Sequence, residues 1–168
     1  MNTYVLGTLG DRILTVKKCG AEYIVTISVK DKETEKYIEL PPKRWASFCQ
    51  VIHDVNSSVK AVENGRGNVK FQHHIGGAYY VSVTSGIRCV DLRKFYESKE
   101  GEIKPGKTGV ALRLEEWAHF CELIDIINHT YPSLASTLPC FYRKDHRSQI
   151  GMLQCSECHP FKSADKTA

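Results

Sequence analysis

The chain has 168 residues, 42% hydrophobic and 25% charged, with a net charge of +4 and a pI near 8.6. That size bounds it to one or two small domains, and the mild positive charge permits a polyanionic partner without demanding one. An odd total of seven cysteines fits poorly with a disulfide framework, and no apolar run reaches the ~20 residues of a membrane span.

Taken from the N-terminus, Met1 to Gly7 lacks the basic region and apolar run of a secretory signal, which with the cysteines predicts a reducing, intracellular setting. Ile13-Leu14-Thr15-Val16 reads as a strand, Cys19-Gly20-Ala21-Glu22 as a hairpin turn, and Tyr23 to Val29 as a half-buried strand rich in β-branched residues. Lys30 to Lys36 is a tight polar turn. Pro41-Pro42 suits a helix start, because proline presets φ and lacks an N–H that would be unpaired there. The helix that follows places Trp45, Phe48, Cys49, Ile52 and Val55 on one face. After the polar stretch Glu63 to Asn68, the order repeats: a strand over Tyr79 to Val83, a turn at Thr84-Ser85-Gly86, a strand through Asp91-Leu92-Arg93 to Phe95-Tyr96, a Lys-Pro-Gly turn, a short strand Gly109 to Leu112, and a second helix. Its apolar face is Trp117, Phe120, Cys121, Ile124 and Ile127, and Pro132 marks its stop.

The repeat is literal. Leu40, Trp45-Ala46, Phe48-Cys49 and Ile52 recur as Leu112, Trp117-Ala118, Phe120-Cys121 and Ile124, a constant offset of 72, whereas residues 13–16 match residues 80–83 at an offset of 67. The difference of five falls in the longer second turn, where length changes are tolerated. These patterns predict an α+β protein of two tandem units, each strand, strand, strand, helix. The first unit spans residues 1–62, a linker 63–68, the second unit 69–134 and a tail 135–168. Units of this size have marginal cores alone, so packing against each other is favoured.

Tyr80-Val81-Ser82-Val83, Asp91-Leu92-Arg93, Phe95-Tyr96, Gly101-Glu102-Ile103-Lys104-Pro105-Gly106-Lys107, Gly109 to Leu112 and Glu116-Trp117 occur in order. Together they resemble the single-stranded-DNA-binding domain of the positive cofactor four family of transcriptional coactivators. The resemblance implies a curved antiparallel sheet with a C-terminal helix, and homodimeric pairing that a tandem chain would reproduce as an intramolecular pseudo-dimer in a monomer. It also implies a nuclear setting and single-stranded DNA as partner, with RNA or transcription proteins as further partners. Arg93, Tyr96 and Lys104 are the residues onto which it carries most directly, and Lys107 matches a basic position of the family's turn.

Single-strand binding needs cations along the phosphates and flat rings for bases. The second unit offers Arg88, Arg93, Lys94, Lys104 and Lys107 as cations and Tyr96 and Tyr79 as rings. Glu97, Glu100 and Glu102 lie among them, so a solvated mixed-charge surface is the plainer alternative. Arg93 and Tyr96 are an odd number apart and would face opposite sides of a regular strand, so sharing a ligand requires a bulge or a strand end between them. The first unit is more divergent and offers Lys17 and Lys18 at its hairpin and Lys30, Lys32 and Lys36 at its turn.

In the tail, Cys140, His146, Cys155 and Cys158, with His159 as a substitute, form a candidate set for one zinc ion, since a Cys-x-x-Cys turn can chelate a metal. A flexible reduced tail is the alternative. No phosphate-loop motif, no His-x-Glu pair and no arguable nucleophilic triad occurs. The reading is therefore a non-catalytic binder of single-stranded or melted DNA in transcription or replication; the alternative is a protein-interaction module that keeps the fold and has lost the groove.

Overall fold

The computed structural model describes residues 1–30, 35–143 and 155–161; Lys32 and His146 lie outside the described residues. The chain is α+β and built of two tandem units, each a four-stranded antiparallel sheet followed by a helix. The first unit contains β1 (Asn2–Leu6), β2 (Arg12–Cys19), β3 (Glu22–Lys30), β4 (Glu35–Leu40) and α1 (Pro42–Glu63). In the second are β5 (Lys70–Gly76), β6 (Tyr79–Thr84), β7 (Cys89–Glu97), β8 (Ile103–Arg113) and α2 (Leu114–Thr130), followed by a short α3 (Pro132–Ala135) and a 3-10 turn at Cys140–Tyr142. Each sheet runs in sequence order, β1-β2-β3-β4 and β5-β6-β7-β8.

Each sheet thus has one strand more than the pattern predicts. β1 and β5 are edge strands with a partner on one side only, and burial is confined to their ends, at Leu6 and at Ile75-Gly76. They therefore lack the apolar alternation that marks a half-buried strand. The inner strands have it: Leu14 and Val16 on β2, Val25 and Ile27 on β3, and Val81 and Val83 on β6 are all buried.

α1 begins at Pro42, as the Pro-Pro pair predicts, and α2 stops before Pro132. At the start of α2, Glu116 reaches back to accept the Arg113 backbone N–H at 2.8 Å, closing a capping box. α1 packs on β3 and β4 of its own sheet and also on β5 and β6 of the other; α2 packs on β7 and β8 and on β1. One continuous apolar core consequently runs through both units. Its centre is aromatic, with Trp117 stacked on Phe120 at 5.5 Å between centroids and Phe48 edge-on to both Trp117 and Phe120. Trp45 is 0% and Trp117 2% exposed, and a large side chain removed from water to this degree contributes roughly 1.5–3 kcal/mol.

Candidate nucleic-acid interface

The motifs of the second unit converge on the β7–β8 pair, where Tyr96 lies opposite Lys104, Phe95 opposite Pro105 and Arg93 opposite Gly109. Lys104-Pro105-Gly106-Lys107, expected as the turn, is instead part of β8. The turn proper lies at Ser98–Glu102, closed by the Ser98 N–H on the Glu102 carbonyl at 2.8 Å and the Gly101 N–H on the Ser98 carbonyl at 3.0 Å. Gly101, at φ +83°, supplies the left-handed residue that this closure requires.

Between Arg93 and Phe95 the register slips, leaving Gly106, Lys107 and Thr108 outside the ladder. This is the bulge that the odd spacing of Arg93 and Tyr96 calls for. Both side chains meet at Gly106: its carbonyl accepts from Arg93 Nη1 at 3.0 Å, and a Cβ there would stand 3.6 Å from Tyr96 Cδ1. Gly109 lets the Arg93 side chain lie across it, since a Cβ at that position would be 2.8 Å from Cζ.

Arg93 is also held by Asp91, whose two carboxylate oxygens accept from Nε and Nη2 at 3.1 Å each. Its charge is matched and its geometry fixed. Lys104 is exposed, with Glu102 at 3.4 Å, a surface pairing of small energetic weight. Lys107, Lys94 and Arg88 are exposed. Tyr96 is 50% exposed and presents a ring at the rim of this cluster.

The structure therefore gathers Arg93, Tyr96, Lys104 and Lys107 and leaves the others apart. Arg88 precedes β7 while Tyr96 lies near its far end, so about eight residues of strand, roughly 26 Å, separate them. Lys17 and Lys18 are on β2 beside its hairpin with β3, in the other sheet. Tyr79 is half-buried, with the Arg44 guanidinium over its ring at 4.5 Å. Burial pushes its hydroxyl pKa up, the Arg44 charge pulling the other way.

Two depressions at the junction of the units extend the cluster. One, of about 300 Å³, is lined by Arg93, Gly109 and Ala111 from the second unit and by Lys30, Lys36 and the ion pair of Asp11 and Arg12 from the first. The next, of about 420 Å³, shares Lys36 and adds Tyr37, Glu39, Arg44, Tyr79 and Thr108. Arg12, Tyr37 and Arg44 have no signature of their own in the sequence, because only the approach of the first unit to the second, β4 meeting β8 among other contacts, makes them neighbours of the β7–β8 cluster. Arg12 is tied to that junction by its Nε, which donates to the Ala111 carbonyl at 3.3 Å.

In the tail, the Sγ atoms of Cys140, Cys155 and Cys158 lie within 4.8 Å of one another. Cys140 Sγ is 3.3 Å from that of Cys155 and 2.9 Å from that of Cys158. Burial raises the Cys155 thiol pKa, but hydrogen bonding from the Cys158 backbone and from the Cys140 and Cys158 thiols outweighs it, and the net shift is downward. Cys140 goes the opposite way, raised first by burial and then by its two sulfur neighbours. Such a trio of thiols can hold a metal ion. His159 stays outside the trio, its Nε2 buried with no hydrogen-bond partner among the described residues.

No helix of the described residues is long and apolar enough to cross a membrane. No solved structure matches the chain. Residues 77–123, from the β5–β6 hairpin through β6, β7 and β8 into α2, match the family model described as Transcriptional Coactivator p15 (PC4). The unit that carries the Tyr96 and Lys104 cluster is thus the one that matches a transcriptional coactivator family.

Proposed function

We propose that the protein is a non-catalytic binder of single-stranded or locally melted DNA in transcription or replication, working in the nucleus as a monomer that serves as an intramolecular pseudo-dimer. The observation that carries this reading is the bulged β7–β8 pair, which sets exposed Tyr96 opposite Lys104 and beside Arg93. Lys104 and Lys107 attract phosphates, Tyr96 stacks on a base at roughly 1–3 kcal/mol, and Arg93 fixes the bulge between them. A path continues along the junction past Arg12, Lys30 and Lys36. RNA and transcription proteins are the other partners of this reading. The cofactor reading that accompanies it is one zinc ion on Cys140, Cys155 and Cys158, with His146, outside the described residues, as the fourth ligand, since a soft thiolate set favours zinc.

Fluorescence anisotropy with a labelled single strand and the matching duplex, across a salt series, tests the function. Expected is tighter binding of the single strand, with affinity falling as salt rises; absent or salt-insensitive binding would sink it. Metal analysis of protein purified without chelators tests the cofactor, with about one zinc per chain expected. A second reading, a protein-interaction module that keeps the fold, is favoured by one observation: Arg93 and Lys104 already have carboxylate partners in Asp91 and Glu102.

A further inference from the structure

Arginine forks donate to carboxylate and phosphate oxygens in the same bidentate manner. At the junction of the units Arg44, near the start of α1, makes such a fork with an unexpected donor of charge: Glu157, inside the Cys155–Cys158 turn. Arg44 Nε and Nη2 donate to the two carboxylate oxygens of Glu157 at 2.9 and 3.1 Å. The third nitrogen, Nη1, donates to the Glu39 carbonyl at 2.9 Å, which aims the guanidinium. Below it lies the ring of Tyr79, 4.5 Å from Cζ.

The turn is fitted to this place. The Gly77 N–H donates to the Glu157 backbone carbonyl at 2.9 Å. A Cβ on Gly76 would collide with the Glu157 carboxylate and one on Gly77 with Arg44, and both glycines have positive φ, so the β5–β6 hairpin admits the tail only as glycine. Meanwhile Arg44 and Tyr79 line the same depression as Lys36 and Tyr37, which adjoins the Arg93 groove through Lys36.

We infer that the Glu157 carboxylate occupies a phosphate position, making the Cys155–Cys158 turn an acidic clasp that competes with a nucleic-acid strand for Arg44 at the junction of the two units. The inference rests on the nucleic-acid reading above for its ligand, and on geometry alone for the clasp. The turn is anchored at its end by the Cys158 thiol, which lies 2.9 Å from that of Cys140. When a strand displaces Glu157, Arg44 supplies a further cation and the patch of Lys36 and Tyr37 joins the path.

The test compares the full-length chain with Glu157→Gln and with Glu157→Gln combined with Arg44→Gln, using a labelled oligothymidylate of about 20 nucleotides over a salt series. Neutralising the competitor should tighten binding about 3- to 10-fold at low salt and steepen the log–log salt slope by about 0.7, the increment for one more phosphate on a single strand. The double variant should lose both gains. Glu157→Gln binding like the wild type, while the wild type itself binds in a salt-dependent way, overturns the clasp and leaves the nucleic-acid reading intact. If no form binds the oligonucleotide, that reading falls and the competition falls with it. As a second measurement, the oligonucleotide should speed proteolytic cleavage of the wild-type tail after Arg143; a tail equally protected with and without bound strand also counts against the clasp.

Discussion

The indole N–H of Trp45, on α1, donates to the side-chain carbonyl of Asn128, on α2, at 2.9 Å. The mirror bond runs from Trp117 to Asn56 at 2.7 Å. Both members of each pair are related by the same offset of 72 residues, and the thiols join in: Cys121 reaches Asn56 at 3.8 Å, and Cys49 bonds Asn128. Burial pushes the Cys49 thiol up to about 11, so it serves as a packed, weak donor. Each tryptophan, buried and polar at one edge, has its indole N–H satisfied by the other unit.

This reciprocity predicts that the two units unfold together. Trp45→Ala or Trp117→Ala should cost about 3–5 kcal/mol, and Asn128→Ala or Asn56→Ala, each stranding a buried indole N–H, about 1–3 kcal/mol. Urea denaturation should give one transition that moves as a whole for every variant. Two separable transitions, with each substitution shifting only its own, would show independent domains.

Lys104→Ala combined with Lys107→Ala should weaken single-strand binding and flatten the salt slope by about 1.4, two phosphate contacts at roughly 0.7 each. Both side chains are exposed, so thermal stability should stay near that of the wild type. Tyr96→Ala should lower affinity without touching the slope, because stacking releases no counterions. An unchanged slope in the lysine variant is the result that removes this site.

Glu116 is 2% exposed and answers three demands: the Arg113 N–H at 2.8 Å, Arg113 Nη1 at 2.9 Å and, across the units, Arg12 Nε at 3.6 Å. Gly7, at φ +68°, passes so close that a Cβ would stand 2.8 Å from Glu116 Cγ. Glu116→Ala should therefore destabilise by about 1.5–3 kcal/mol, the range for hydrogen bonds to a charged group, and Glu116→Gln by less, since it keeps the cap. Chemical denaturation of the two variants checks the order.

His74 accepts the Ala78 N–H on Nε2 at 3.2 Å inside the β5–β6 hairpin. Burial lowers its pKa below the usual 6.5, Glu157 pulls it up, and His73, Arg44 and His159 push it down further. A depressed histidine contributes stability that is fully present above its unfolded value and is lost as pH falls through its folded one. Hairpin amide exchange should hence accelerate as pH drops below about 6.5, after correction for intrinsic exchange. In His74→Gln, which keeps an acceptor that does not titrate, that acceleration should vanish; its persistence would assign the effect elsewhere.

The repeat, both helices and their apolar faces were legible because tryptophan, phenylalanine and cysteine recur at one offset and at helical spacing. Tyr23 to Val29 and Tyr79 to Val83 likewise announce themselves by alternation. β1 and β5 do not, since an edge strand with one buried end carries almost no period. Arg93, Tyr96 and Lys104 could be found through motif order, and the bulge between Arg93 and Tyr96 through their odd spacing. Arg44, Glu157 and Arg12 could not: their partners lie 113 residues away for the Arg44–Glu157 pair and 99 for Arg12 and Ala111, and distance along a chain leaves no local trace.

Two units that share one interior within one polypeptide never separate on dilution, because joining them holds their effective concentration in the millimolar range or above. In an assembly of identical copies every substitution occurs twice. Here each occurs once, and the two units have diverged accordingly: at the positions 67 residues before Tyr96 and Arg93 stand Val29, packed against the core, and Thr26. At those two positions the first unit carries neither the ring nor the guanidinium of the second, so the two halves of the surface are not equivalent.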